Sequence, residues 1–286
     1  MAYESNRDVF DSGFLSHKGD FDSRIRQTKI DRRYMYEDFT TGPWLSASTP
    51  LSGAAVSTTS ERLVGSAFNQ FRISPLGVTQ TLLAPFKATE IGWDVAHDLT
   101  ENDGWEMIPA GALSTDCPHV YKVGTEAFFG RWKFTPADAS GSEMLAVGFR
   151  KQAAFGTTIA DPPTLGDYTD YATIGLRGTA NPNTIKIASE LNNSGESLTD
   201  TTMTWADAAT KILTVKVSLT GVVTYEVEVV GTSASAAPTQ TATLTLDTGD
   251  IMIPFVRHVF GATTPGSILI KEWECGVQPS SRVTLI

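Results

Sequence analysis

The sequence is poor in the residues that most often announce a chemistry. It has two cysteines in 286 residues, Cys117 and Cys275. Two cannot make the disulfide framework of a small secreted domain, so both are expected as buried free thiols. The four histidines, His17, His97, His119 and His258, show neither H-x-H nor H-x-x-x-H spacing, which gives no zinc signature. G-x-S-x-G, a P-loop and G-x-G-x-x-G are all missing. No apolar run approaches the roughly 20 residues that span a bilayer. The opening MAYESNRDVFDSGF puts charges where a secretion signal has its apolar centre, so synthesis in a cytosol, and no membrane partner, are expected. Charged residues make up only 19% with a net charge of -10, too few cations for phosphate neutralisation, and nucleic acid is not an expected partner. There is no long amphipathic helical pattern and no internal repeat, which argues against a bundle, a propeller or a β-helix.

Strand alternation is plentiful. The clearest stretch is Trp205 to Val230, WADAATKILTVKVSLTGVVTYEVEVV. Leu213, Val215 and Val217 alternate with polar neighbours, and so do Val223, Tyr225, Val227 and Val229. Period two means one buried and one wet face. A two-residue turn at Thr220-Gly221 would set Val215 against Glu226 and mix the faces. A three-residue loop Leu219-Thr220-Gly221, with Gly221 left-handed, pairs Val217 with Val223, Val215 with Tyr225 and Thr214 with Glu226.

Further strands are predicted over 33–39, 68–74, 79–86, 89–95, 125–135, 143–151, 171–178, 184–191, 251–260 and 267–277. Turns are expected at Pro75-Leu76-Gly77 and over PADASGS. The segment IMIPFVRHVF is apolar on both faces, so both must be covered by the chain or by a partner. Pro254 implies a bulge or a free edge there. Ten or more short strands point to an all-β, two-sheet antiparallel sandwich over 34–286. Residues 1–33 differ: they hold 13 charges, with Phe10, Phe14 and Phe21 among them, and no alternation. An extended N-terminal arm is expected, its partner-binding candidates being Phe10, Phe14, Phe21, Arg24, Arg26, Arg32 and Arg33; a solvated tail is the alternative.

The order Phe128–Phe134, Met144–Phe149, Tyr171–Leu176, the hairpin KILTVKVSLTGVVTYEVEV and then TLDTGDIMIPFVRHVFGATTPGSILIKEWECGV resembles the concanavalin A-like lectin/glucanase jelly roll. It is similar to domains of that class in virion proteins of tailed bacteriophages. The resemblance covers about residues 120–278 and rests on strand order and turn placement. It implies a jelly-roll sandwich with a binding or structural role, often in an oligomer.

The candidate chemistry is sparse. The E-x-D-x-x-E triplet of the class's enzymes is absent. Glu272 and Glu274 share a strand face, as do Glu226 and Glu228, and either pair could imitate a glycosidase dyad or form a wet strand face. Trp44, Trp105 and Trp205 stand in loop-like contexts and are the glycan-stacking candidates, whereas Trp93 and Trp132 are expected in the core. The acidic loop 94–106 offers Asp98, Glu101, Asp103 and Glu106 as weak Ca²⁺ candidates without EF-hand spacing. No cofactor is expected. The leading expectation is a non-enzymatic virion structural protein of a tailed phage, a capsid decoration or cement protein. Its arm would bind the major capsid protein or other virion proteins, as a homo-oligomer with a trimer favoured. The alternatives are a carbohydrate-binding adhesin or tail-associated protein, and a glycoside hydrolase using Glu272 and Glu274.

Overall fold

The computed structural model describes residues 34–40, 44–45, 62–65, 69–76, 86–89, 92–95, 104–110, 117–156, 159, 163–178, 182–230, 235–236, 242–261 and 268–278. The described chain is all strand and turn. In order the strands are β1 (Met35–Glu37), β2 (Trp44–Leu45), β3 (Arg62–Gly65), β4 (Gln70–Leu76), β5 (Phe86–Thr89), β6 (Gly92–Val95), β7 (Gly104–Pro109), β8 (Tyr121–Lys122) and β9 (Phe128–Pro136). They continue with β10 (Ser142–Lys151), β11 (Tyr171–Arg177), β12 (Thr184–Glu190), β13 (Ser197–Thr204), β14 (Lys211–Val217), β15 (Val223–Val229), β16 (Ser235–Ala236), β17 (Ile251–Phe260) and β18 (Ile268–Val277).

They form two antiparallel sheets. The first runs β16-β15-β14-β9-β18-β6-β5 with β1 also on β18; the second runs β13-β12-β11-β10-β17-β7-β4-β3-β2 with β8 also on β17. Each sheet has a ten-residue strand whose one edge is shared end to end by two short strands. On β18 these are β6 and β1; on β17 they are β8 and β7. Pro254 fits this division. Ile251 O accepts from Gln152 and Asp250 O from Val123, so even-numbered backbone groups of β17 face β8 and β7. β8 pairs at Ile251–Met252 and β7 at Val256–Val259. The missing donor of Pro254 therefore faces the gap that β8 and β7 leave among the described residues, as its chemistry demands.

The β14–β15 hairpin has the expected register, with Val217 opposite Val223, Val215 opposite Tyr225 and Thr214 opposite Glu226. Gly221 is left-handed at φ 83°, and Ser218 and Val222 close the loop through a 2.8 Å backbone bond. A Cβ on Gly221 would stand 2.3 Å from Leu246 O.

The sheets close on an aromatic chain. Phe39 meets Trp93 at 4.8 Å between centroids, Phe71 meets Trp273 at 5.4 Å, and Trp132 touches both Trp273 and Phe149. Phe128 and Tyr121 extend it. Gly130 leaves room for the ring of Trp132, which a Cβ would meet at 2.2 Å. Burying each such ring contributes about 1.5–3 kcal/mol.

A second apolar layer lies outside the second sheet. Met144, Ala146, Ile253, Phe255 and Val259 point away from the main core and are covered by Phe155, Leu165 and Tyr168. This explains the two-sided apolar strand at 251–260: both faces are covered by the chain itself, so the pattern lends no weight to an oligomer. Two other expectations are corrected. Pro75 and Leu76 belong to β4 rather than to a turn, and the stretch 89–95 is divided between the end of β5 and β6. The predicted strand at 79–86 lies, except for Phe86, outside the described residues.

Candidate interaction surfaces

The outer face of the second sheet carries a buried ionic layer. On β10, Leu145, Val147 and Phe149 take the core face, which turns Arg150 outward; on β7, Trp105 and Met107 do the same for Glu106. Arg150 Nε donates to Glu106 Oε1 at 2.8 Å, and Tyr168 OH donates to the same carboxylate at 2.8 Å. The Tyr168 oxygen accepts from Gly156 N at 2.9 Å. Burial, and then the charge of Glu106, push the Tyr168 hydroxyl well above its usual pKa, so it remains a donor. The Arg150 guanidinium lies 4.2 Å over the Tyr168 ring. Arg257, opposite Glu106 in register, reaches Glu106 Oε2 at 3.7 Å and Asp167 Oδ2 at 3.4 Å. Further across, Glu196 holds both Arg177 and the Tyr171 hydroxyl. Burial pulls the Arg177 pKa down while Glu196 opposes the change. Glu106 is fully buried with its oxygens occupied.

The outer face of the first sheet is a charge ladder. Glu272 accepts from Arg131 at 3.0 Å and from Lys133 at 2.5 Å. Arg131 also faces Glu228 at 3.8 Å, and Lys216 pairs with Glu226. Glu274 is 1% exposed and accepts from Tyr34 OH at 2.9 Å. Tyr36 stands beside it; burial and the charge of Glu272 push its hydroxyl up to about 12. Glu272 and Glu274 thus share a face as their spacing requires. One is clamped between two cations and the other is sealed by a tyrosine, so neither stands as a free acid or base.

Both ends of the described chain meet at one end of the sandwich. β1 runs antiparallel to β18 with Met35 opposite Cys275, so Tyr34 lies level with Gly276. Gln278 caps the same end through Phe128 O and Val217 O. The 218–222 turn, the 191–196 turn and the start of β17 lie there too, linked by Leu246 N to Gly221 O and by Asn192 Nδ2 to Asp247 Oδ2. Lys151 bridges Asp170 and Asp250 at this end. Burial raises the Asp170 pKa, but bonds from Thr169, Asn192 and Lys151 outweigh it and hold the carboxyl below its usual range. Among the described residues, four of the six exposed large apolar side chains, Leu198, Leu219, Val222 and Ile251, are at this end.

The sequence-derived candidates fare unevenly. Trp105 is fully buried in β7, packed 5.9 Å from His258, and is no stacking platform. Trp205, just beyond β13, is also fully buried, with its Nε1 donating to Ala209 O at 2.8 Å. Glu106 is a core ion-pair partner rather than a loop ligand. Trp44 forms β2. Phe10, Phe14, Phe21, Arg24, Arg26, Arg32, Arg33, Asp98, Glu101 and Asp103 lie outside the described residues. Among the described residues no group of three His, Cys, Asp or Glu could hold a metal. Cys117 and Cys275 are buried free thiols, as expected. Arg150, Arg257 and Tyr168 went unnoticed in the sequence. The one signal was Arg257 itself, a cation in a strand apolar on both faces, which must meet a buried anion.

No family model matches the sequence, nor does any curated protein. Among solved structures, the exoplasmic/lumenal domain of VIP36 in its Ca²⁺- and Man2-bound form shares 9% identity at a TM-score of 0.50, over 89% of this chain and 91% of that one. A protein of unknown function from Shewanella oneidensis MR-1 shares 13% identity over 95% of this chain and 100% of that one, at 0.49. Arcelin-5, a lectin-like defense protein from Phaseolus vulgaris, shares 8% over 86% and 99%, at 0.45. The likeness is one of fold: a lectin-like, concanavalin A-like sandwich.

Proposed function

We propose that this chain is a non-enzymatic structural protein of a tailed-phage virion, a capsid decoration protein whose residues 1–33 bind the shell. The observation that carries this reading is the way the arm is rooted. The segment with three Phe and seven cations continues from Tyr34, and Tyr34 is anchored to a buried glutamate beside a strand at the centre of the first sheet. A binding segment gains from such a root, because affinity in a shell comes from many repeated weak contacts. The engaged carboxylates of Glu106, Glu272 and Glu274 favour a protein that binds rather than cleaves.

Immunogold labelling of gradient-purified virions with an antibody to the sandwich tests this. Label on the capsid supports it; label confined to the tail, or no label, overturns it. A carbohydrate-binding adhesin is the second reading, favoured by the lectin-like fold. Of its three tryptophans only Trp44 is still a candidate, so loss of glycan-array binding in Trp44→Ala would support it.

A further inference from the structure

Among the described residues the exposed apolar side chains are unevenly placed, and most lie where the described chain begins and stops. Leu219 is 53% exposed, Leu198 48%, Val222 45% and Ile251 43%, all at the end where the chain enters at Tyr34 and leaves at Gln278. Single exposed apolar residues need no explanation, but a turn tip carrying both Leu219 and Val222 is unusual for a site that turn chemistry would fill with polar residues. The arm and the rest of the chain differ in charge. The arm takes 7 of the 22 cations and 6 of the 32 acids, which leaves the rest of the chain at a net -11. Residues 23–33, SRIRQTKIDRR, carry five cations and one acid, a net +4. At the end where the described chain begins at Tyr34 stand Asp247, exposed, and Asp250, which pairs with Lys151. The aromatics lie farther out. Phe21 is 13 residues from Tyr34, a span of roughly 43 Å at full extension, enough to leave its own body.

We infer that this end of the sandwich is the docking site for residues 1–33 of a second copy of the chain. The Phe anchors cover Leu219, Val222 and Ile251, and the basic stretch lies beside Asp247. Root and receptor share one end, so two or more copies set end to end exchange arms reciprocally. The contacts then close into a finite oligomer rather than an open fibre. This rests on the proposed role as an assembling virion protein and adds the surface on which the copies meet.

The test is lysine cross-linking of a 1:1 mixture of unlabelled and ¹⁵N-labelled full-length protein. The pair to read is Lys29 in the arm and Lys122, which is exposed beside Ile251 in register. Mixed-mass Lys29–Lys122 cross-links are expected. In Leu219→Glu/Val222→Glu they should fall at least tenfold, and the mass from light scattering should drop to a single copy with unchanged circular dichroism and melting. Cross-links within one isotope only, a wild type that is a single copy at every concentration, or an unchanged oligomer in the double variant would each overturn the inference. The functional reading is separable: virions labelled equally well by the double variant retain it without arm exchange, and exchange without virion labelling removes it alone.

Discussion

Arg150 Nε and Glu106 Oε1 lie 2.8 Å apart, and neither side chain has any solvent exposure. Removing one member of such a pair leaves a buried charge uncompensated. Glu106→Gln is expected to cost about 3–5 kcal/mol in urea unfolding. The apolar double variant Glu106→Leu/Arg150→Met should cost less than Glu106→Gln alone. Tyr168→Phe, which removes a donor from the same carboxylate, should cost about 1–3 kcal/mol. A double-variant loss equal to the sum of the Glu106→Leu and Arg150→Met losses would show that the pair is not coupled.

The hairpin turn offers a cleaner comparison. Gly221 and Gly249 are both left-handed, at φ 83° and 103°, but a Cβ meets Leu246 O at 2.3 Å at the first and nothing within 4 Å at the second. Gly249→Ala carries backbone strain alone, about 1 kcal/mol, whereas Gly221→Ala should lose at least about 2–3 kcal/mol because a fixed carbonyl must also move. Thermal melting of the two variants separates the terms.

The thiols should be silent in the native protein. Burial pushes the Cys117 thiol up to about 12 and raises Cys275 further. Ellman's reagent at pH 8 should titrate neither until urea unfolds the chain, and then both. The same shift sets an alkaline limit. Above about pH 9 the unfolded chain releases the Cys117 proton while the native state keeps it, so stability falls as pH rises towards 12, by at most about 1.4 kcal/mol per pH unit for each such group. Melting temperatures from pH 8 to 11 would show the decline, and a flat profile would contradict it.

On the acid side the sign reverses. The Asp170 carboxyl is held below its usual range, so its contribution is present above about pH 4 and is lost as pH falls through the native value. Asp170→Asn should destabilise by about 1–3 kcal/mol at pH 7. The gap to wild type should narrow towards pH 3.

Some of this was legible in the sequence because it is locally encoded. The β14–β15 register follows from alternation on both sides of one permissive glycine, and Pro254 marked the gap beside it. β13 went unseen because SLTDTTMT is a polar edge strand with one exposed apolar side chain, Leu198. Trp105 looked like a loop residue because Asn102, Asp103, Gly104 and Glu106 surround it. Arg150 and Arg257, which arrive from β10 and β17, together with Tyr168, turn Glu106 into an interior residue. The apolar layer outside the second sheet was half visible, since 251–260 demanded a cover on both faces. The identity of the cover, Phe155, Leu165 and Tyr168, depends on a loop folding back over a sheet, which no local pattern records.

The pairing of β1 with β18 also decides how the body would bear a mechanical load. Tension drawn through Tyr34 acts along the strand axis, so the bonds of Met35–Glu37 are loaded together in shear rather than broken one at a time as in a zipper. Behind them β18 is bonded to β9 from Ile268 to Val277, which spreads the force across the first sheet. A body built this way would resist a pull at Tyr34 across the whole first sheet rather than open strand by strand.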